Sequence, residues 1–118
     1  MRFQSLVVIF IVMFALVAAD EEFHPIDVSN PYMVDVGNFA VTEYNNKHNE
    51  QNSHIATTKL KFEKNINGEN KFLKYGLGNY FRLTISAKNG SISNNYKADV
   101  VDEPSRRFRS LISFELVA

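Results

Sequence analysis

The chain has no cysteine among its 118 residues. That removes a disulfide scaffold, a thiolate metal site and a cysteine nucleophile together, and leaves stability to the packed core alone. An excess of either charge is missing too. Lys plus Arg and Asp plus Glu number 13 each, for a formal net charge of zero. A neutral chain has no general attraction for nucleic acid, so no nucleic-acid partner is expected. Catalytic signatures are also absent. No serine stands in a Gly-x-Ser-x-Gly context. Gly76-Leu77-Gly78 is too short for a phosphate loop and lacks the strand–loop–helix setting that one needs. His24 lies near the start of the folded chain. His48 and His54 fall in or beside a polar tract, at a spacing unlike that of a helical metal pair, and all three read as surface histidines. Asp102-Glu103 and Glu21-Glu22 are neighbours in sequence, so in strands they point to opposite faces and share no site. Arg106-Arg107 and Arg109 read as a solvated loop and strand start rather than as a site for an anionic partner. No enzymatic activity, cofactor or metal is expected.

What is present is a globular composition, 45% hydrophobic and 22% charged, at a length that suits one domain. The segment from Leu6 to Ala19 is apolar throughout, follows Arg2 and ends in small residues. It reads as a secretory signal peptide over residues 1–19, with cleavage after Ala19 and a folded domain over 20–118. The run is about 14 residues, shorter than the ~20 needed to span a bilayer, so a cleaved leader is favoured over a membrane anchor. The expected location is secreted, extracellular or vacuolar, with no membrane partner.

Asp20 to Val28 has no helical period, contains Pro25 and reads as an extended arm. Ser29-Asn30-Pro31 is a helix start, a capping side chain followed by a proline whose missing N–H costs nothing in the first turn. Met33, Val36, Ala40 and Tyr44 then recur at helical spacing, with Phe39 and Val41 beside them. Gly37 interrupts this stripe and weakens an isolated helix by ~1 kcal/mol relative to Ala. Close approach of the helix to a sheet is the expected compensation. The polar run Asn45 to Ser53 is expected to end the helix in a loop. The period then changes to two. Leu60, Phe62 and Ile66 alternate with polar residues, Asn67-Gly68 punctuates, and Phe72–Tyr75 and Tyr80–Ala87 follow. Lys88-Asn89-Gly90 is a hairpin turn, and Asn95–Asp102 and Phe108–Leu116 complete the strands. The reading is α+β, one amphipathic helix across an antiparallel sheet. Asn89-Gly90-Ser91 is also an N-glycosylation sequon, with Asn89 as the acceptor.

The segment Val36-Gly37-Asn38-Phe39-Ala40-Val41-Thr42-Glu43-Tyr44-Asn45 closely resembles the helix signature of the plant cystatins, or phytocystatins, secreted inhibitors of papain-like cysteine proteases. Phe23-His24-Pro25-Ile26 is similar to the family's arm motif Trp-x-Pro-Ile. Tyr80–Ile85, Asn95–Ala98, Val101–Pro104 and Phe108–Leu111 follow in family order. The resemblance implies a cystatin-like fold, a four- or five-stranded antiparallel sheet wrapped around one helix. It also implies a monomer that binds papain-like cysteine proteases through a wedge of three segments. Carried over position by position, the wedge comprises Glu22 and Phe23 in the arm, Lys74, Tyr75, Gly76, Leu77 and Gly78 in the first loop, and Pro104 and Ser105 in the second. The chain departs from the family at each segment. Glu21 and Glu22 replace the arm glycine, only Gly78 survives of Gln-x-Val-x-Gly, and Ser105 follows Pro104 where Trp is expected. Two readings stand: reversible blockade of the protease cleft with altered strength or specificity, or a non-inhibitory binding protein on the same scaffold.

Overall fold

The computed structural model describes residues 22–51 and 59–117. The expected leader, Glu21 and His54 lie outside the described residues. Strands β1 (His24–Pro25), β2 (Leu60–Phe72), β3 (Asn79–Asn89), β4 (Ile92–Glu103) and β5 (Phe108–Leu116) form one antiparallel sheet in chain order. Helix α1 (Pro31–Gln51) lies across one face. This is the α+β, cystatin-like architecture that the sequence suggested.

The helix begins where the capping residue sits. Asn30 Oδ1 accepts the N–H of Met33 at 2.9 Å, and Pro31 takes the first helical position. Val36 and Ala40 are fully buried, Met33 and Val41 nearly so, and Phe39 and Tyr44 pack at the margins of the same core. Opposite them stand Phe81, Leu83, Ile85 and Ala87 of β3 with Ala98, Val100 and Leu111, the alternate residues of neighbouring strands. Gly37 is the point of closest approach. A side chain there would press on Asn65 Oδ1 and come within 2.8 Å of Phe62 Cε1. The Asn65 amide occupies that space because its Nδ2 donates to Val28 O at 3.1 Å and Met33 O at 2.8 Å, tying β2 to the helix start.

Three boundaries differ from the sequence reading. The polar tract does not end the helix at Asn45; α1 continues to Gln51. Asn45 instead uses its side chain as a strand partner, donating from Nδ2 to Leu60 O at 2.8 Å and accepting the Leu60 N–H at 3.0 Å. The preceding residue, Tyr44, stacks on Phe114 and on His48 one turn on, with ring centroids 4.5 and 5.6 Å apart. Second, Asn67-Gly68 does not interrupt β2, and Phe72–Tyr75 is not a separate strand. β2 runs unbroken to Phe72 with register shifts between Phe62 and Lys64 and between Asn65 and Asn67. Each shift inserts an extra residue, Glu63 and Ile66, which sharpens the bend of the strand around the helix. The same insertions turn Asn65, not Ile66, toward the helix, and Ile66 is left 41% exposed. At the far end of the sheet Asn89 pairs with Ile92, so the β3–β4 turn is centred on Gly90-Ser91, one residue later than expected.

Candidate functional site

The register brings three segments to one end of the sheet. β1 enters there, with His24 opposite Asn70 and Pro25 opposite Glu69, and Ile26 N–H bonded to Gly68 O at 3.1 Å. The β2–β3 connection, residues 73–78, is closed by Phe72 opposite Asn79. The β4–β5 connection, residues 104–107, is closed by Glu103 opposite Phe108, and Asn79 stands opposite Asp102 beside it. The wedge positions named from the sequence therefore share an edge.

The first connection makes a tight turn at Lys74–Gly76 whose Tyr75 and Gly76 lie in the left-handed region, and the second holds a single turn of 3-10 helix, Pro104–Arg106. Leu73 N–H donates to Gly78 O at 2.9 Å and pinches the first loop shut. Gly78, at φ +146°, lies so close to the end of β4 that a Cβ would strike Asp102 O and stand 3.0 Å from Glu103 Cα. Glycine is required here by that approach. Tyr75 is the apex of the edge at 91% exposed; Leu77, Pro104 and Ser105 are exposed, and so are Lys74 and Gly76. Glu22 is exposed on the arm. Phe23 is half-buried: its ring sits edge-on to Tyr80 at 5.9 Å, with the Arg82 guanidinium 3.9 Å and Lys71 Nζ 4.5 Å from its centroid. It caps a second small core of Leu73, Tyr80, Val101 and Ile112 on the sheet face away from the helix.

Electrostatics hold the second loop in place. Asp102 faces the helix, where it accepts hydrogen bonds from the Tyr32 hydroxyl and from Arg109 Nε at 3.0 Å, and Arg109 Nη1 reaches Asp35 at 2.8 Å. Burial and the Asp102 carboxylate push the Tyr32 phenol up to about 12. Burial alone would lower the Arg109 pKa, but the bonds to Asp102 and Asp35 outweigh it and raise it. Arg109 is thus a tether between β5 and α1 rather than part of a solvated cluster, which corrects the sequence reading of that residue. Its partner distances could not be foreseen because Asp35 and Arg109 are separated by 74 positions. Glu103, next along, turns to the other face. There Arg106 Nη1 lies 3.2 Å from its buried Oε1. Behind the edge, Tyr80 donates to Asp99 Oδ2 at 2.7 Å. Burial raises both groups, the phenol further through the Asp99 charge, while the hydrogen bond from Tyr80 pulls Asp99 partly back.

Three edge residues escaped the sequence reading. Phe72 and Phe108, 58% and 48% exposed, flank the loops, and Arg107 ends the second loop at φ +51°. The two phenylalanines were legible as apolar residues bordering turns; the Arg107 backbone conformation has no sequence signal. Among the described residues no group of three or more metal-ligating side chains converges, and no helix is long and apolar enough to cross a membrane.

The family model described as SQAPI, aspartic acid proteinase inhibitor, matches residues 26–117. Among curated proteins, "Cysteine proteinase inhibitor 5" of Arabidopsis thaliana is 38% identical over 114 residues, covering 94% of this chain and 84% of the relative. "Cysteine proteinase inhibitor 1" of Actinidia chinensis var. chinensis is 35% identical over 83 residues, covering 70% and 62%. Among solved structures, dimeric human cystatin F superimposes with a TM-score of 0.62 at 11% identity, over 82% of this chain and 86% of that one, a likeness of fold. On the family match and the Arabidopsis relative, the chain belongs to the cystatin-like family of plant proteinase inhibitors.

Proposed function

We propose that the chain is a secreted inhibitor of papain-like cysteine proteases, acting as a monomer that reversibly blocks the active-site cleft. The observation that carries the reading is the meeting of the arm and both loops at one sheet end, with Tyr75 at the apex. The loops offer apolar surface at Tyr75, Leu77 and Pro104. Their backbones are unlike a substrate strand: Tyr75 and Gly76 lie at φ +64° and +65°, and Arg107 at +51°. An extended peptide is what a protease cleft aligns for attack, and a loop bent through left-handed residues occupies the cleft without presenting a bond in that form. Secretion rests on the leader-like residues 1–19.

A second target class has a specific observation in its favour, the description of the matching family as an aspartic acid proteinase inhibitor. The departures at Glu22, at the first loop and at Ser105 also fit a cleft other than papain's. One titration separates the readings. The chain from Asp20 onward is assayed against a papain-like cysteine protease and against a pepsin-like aspartic protease. Nanomolar inhibition of the first supports the proposal, and inhibition of only the second moves the target class. No inhibition of either at high micromolar concentration leaves a non-inhibitory binding protein on this fold.

A further inference from the structure

The edge carries an asymmetry that the wedge reading alone does not use. Residues 73–78 and 104–107 contain Lys74, Arg106 and Arg107 and no acidic side chain, on a chain of zero formal charge. The three arginines around the second loop have separate fates. Arg109 is committed to Asp102 and Asp35, and Arg106 lies against the buried Glu103. The Arg107 side chain is exposed and has no partner among the described residues; only its backbone N–H is bonded, to Pro104 O at 3.0 Å. Its conformation is unusual as well. Tyr75 and Arg107 are the non-glycine residues with positive φ among the described residues, one on each loop. L-residues enter that region at a cost, and Gly or Asn fill it ordinarily. Such outliers gather at functional sites. Both loops thus hold, in a costly conformation, an exposed residue of a type enriched at the energetic centres of interfaces, Tyr and Arg.

Resting on the inhibitory-edge reading above, we infer that Arg107 is the anchor of the second loop, and that the protease it fits presents a carboxylate on the rim of its cleft. The guanidinium fork pairs with a carboxylate through two parallel hydrogen bonds, which gives geometric specificity as well as attraction. Two positions after the small Ser105, Arg107 supplies the large contact that the loop otherwise lacks. The unpaired charge of Arg107 also speeds encounter with an acidic rim.

The test compares Arg107→Gly, Arg107→Lys and Arg107→Glu with the parent, using whichever of the two proteases the parent inhibits. Inhibition constants and association rates are measured at about 50 and about 500 mM salt, where screening differs strongly. Glycine adopts the left-handed backbone freely, so Arg107→Gly keeps the loop and removes only the side chain. It should keep the parent's thermal midpoint or exceed it while inhibiting at least ~10-fold more weakly. Arg107→Lys should retain the salt-sensitive association rate but dissociate faster. Arg107→Glu should associate more slowly than the glycine variant at low salt, and the gap should close at high salt. If Arg107→Gly inhibits as well as the parent, the assignment of Arg107 fails while the wedge stands. If the parent inhibits neither protease, the wedge reading fails and the anchor fails with it.

Discussion

A methyl group added at Gly37 sets two effects of comparable size against each other. Helix propensity alone favours Gly37→Ala by ~1 kcal/mol. Against this, the new Cβ meets Asn65 Oδ1 and comes within 2.8 Å of Phe62 Cε1. An exposed asparagine would swing aside. Asn65 cannot do so freely, because moving it breaks the bonds to Val28 O and Met33 O, each worth roughly 1 kcal/mol. Retaining the bonds forces overpacking, which costs ~1–3 kcal/mol. Breaking both bonds outweighs the propensity gain by ~1 kcal/mol, and overpacking is taken only where it costs less, so the expected outcome is a net loss of up to ~1 kcal/mol. At this chain length that lowers the thermal midpoint by roughly 4–8 °C per kcal/mol, measured by circular dichroism on the chain from Asp20. The mechanism is isolated by repeating the change in an Asn65→Ala background. There only the contact with the half-buried Phe62 ring remains, so Gly37→Ala should cost less than in the parent background or turn stabilising, giving a coupling of roughly 1–3 kcal/mol between the two sites. A higher midpoint for Gly37→Ala in the parent background would refute the reasoning.

Ala40 is fully buried against the sheet, so Ala40→Asp should abolish cooperative unfolding; a folded variant with the parent's midpoint would sink the packing account. Asp99 has its folded pKa raised chiefly by burial, so its ionisation subtracts stability as pH rises from its unfolded value through the folded one. Asp99→Asn, which can still accept the Tyr80 hydroxyl, should therefore raise the midpoint more at pH 7 than at pH 3, and an equal or reversed difference argues against the assignment. Ser105→Trp should tighten inhibition by roughly 30-fold by restoring a large contact to the second loop; an unchanged inhibition constant means that the loop does not enter the cleft. Asn89 is exposed at the turn end of the sheet, away from the wedge. Secretory expression should yield a glycoform that Asn89→Gln eliminates, read by mass before and after glycosidase treatment.

The sequence was most legible where one physical rule acted alone. The Val36–Ala40–Tyr44 stripe and the alternation through Phe81, Leu83 and Ile85 each declare one buried face, and both faces pack as expected. Reading failed where a side chain replaced a backbone interaction or where the period changed inside an element. Asn45 looks like a loop residue because asparagine commonly competes with helical bonds, yet here its amide bonds Leu60 from within the helix. β2 contains Asn67-Gly68, a turn signal, but two inserted residues shift its alternation and the sheet carries it through. At the edge, the family resemblance located the arm and both loops. It could not single out Arg107 or Tyr75, whose distinction is a backbone angle set by loop closure.

The contact of Gly78 with Asp102 and Glu103 bears on how the edge behaves as a binding element. The first loop ends against the backbone of the last two residues of β4, from which the second loop springs, so both loops are seated on the same strand end. Their spacing is fixed before any partner arrives, and little configurational entropy remains to be lost when a complex forms. Such preorganisation favours slow release from a cleft of matching width and discriminates against a cleft that would need the loops spread apart. It also couples the loops energetically: a residue exchanged in one alters the seat of the other, so variants at Tyr75 and Arg107 should combine non-additively even where their side chains do not meet.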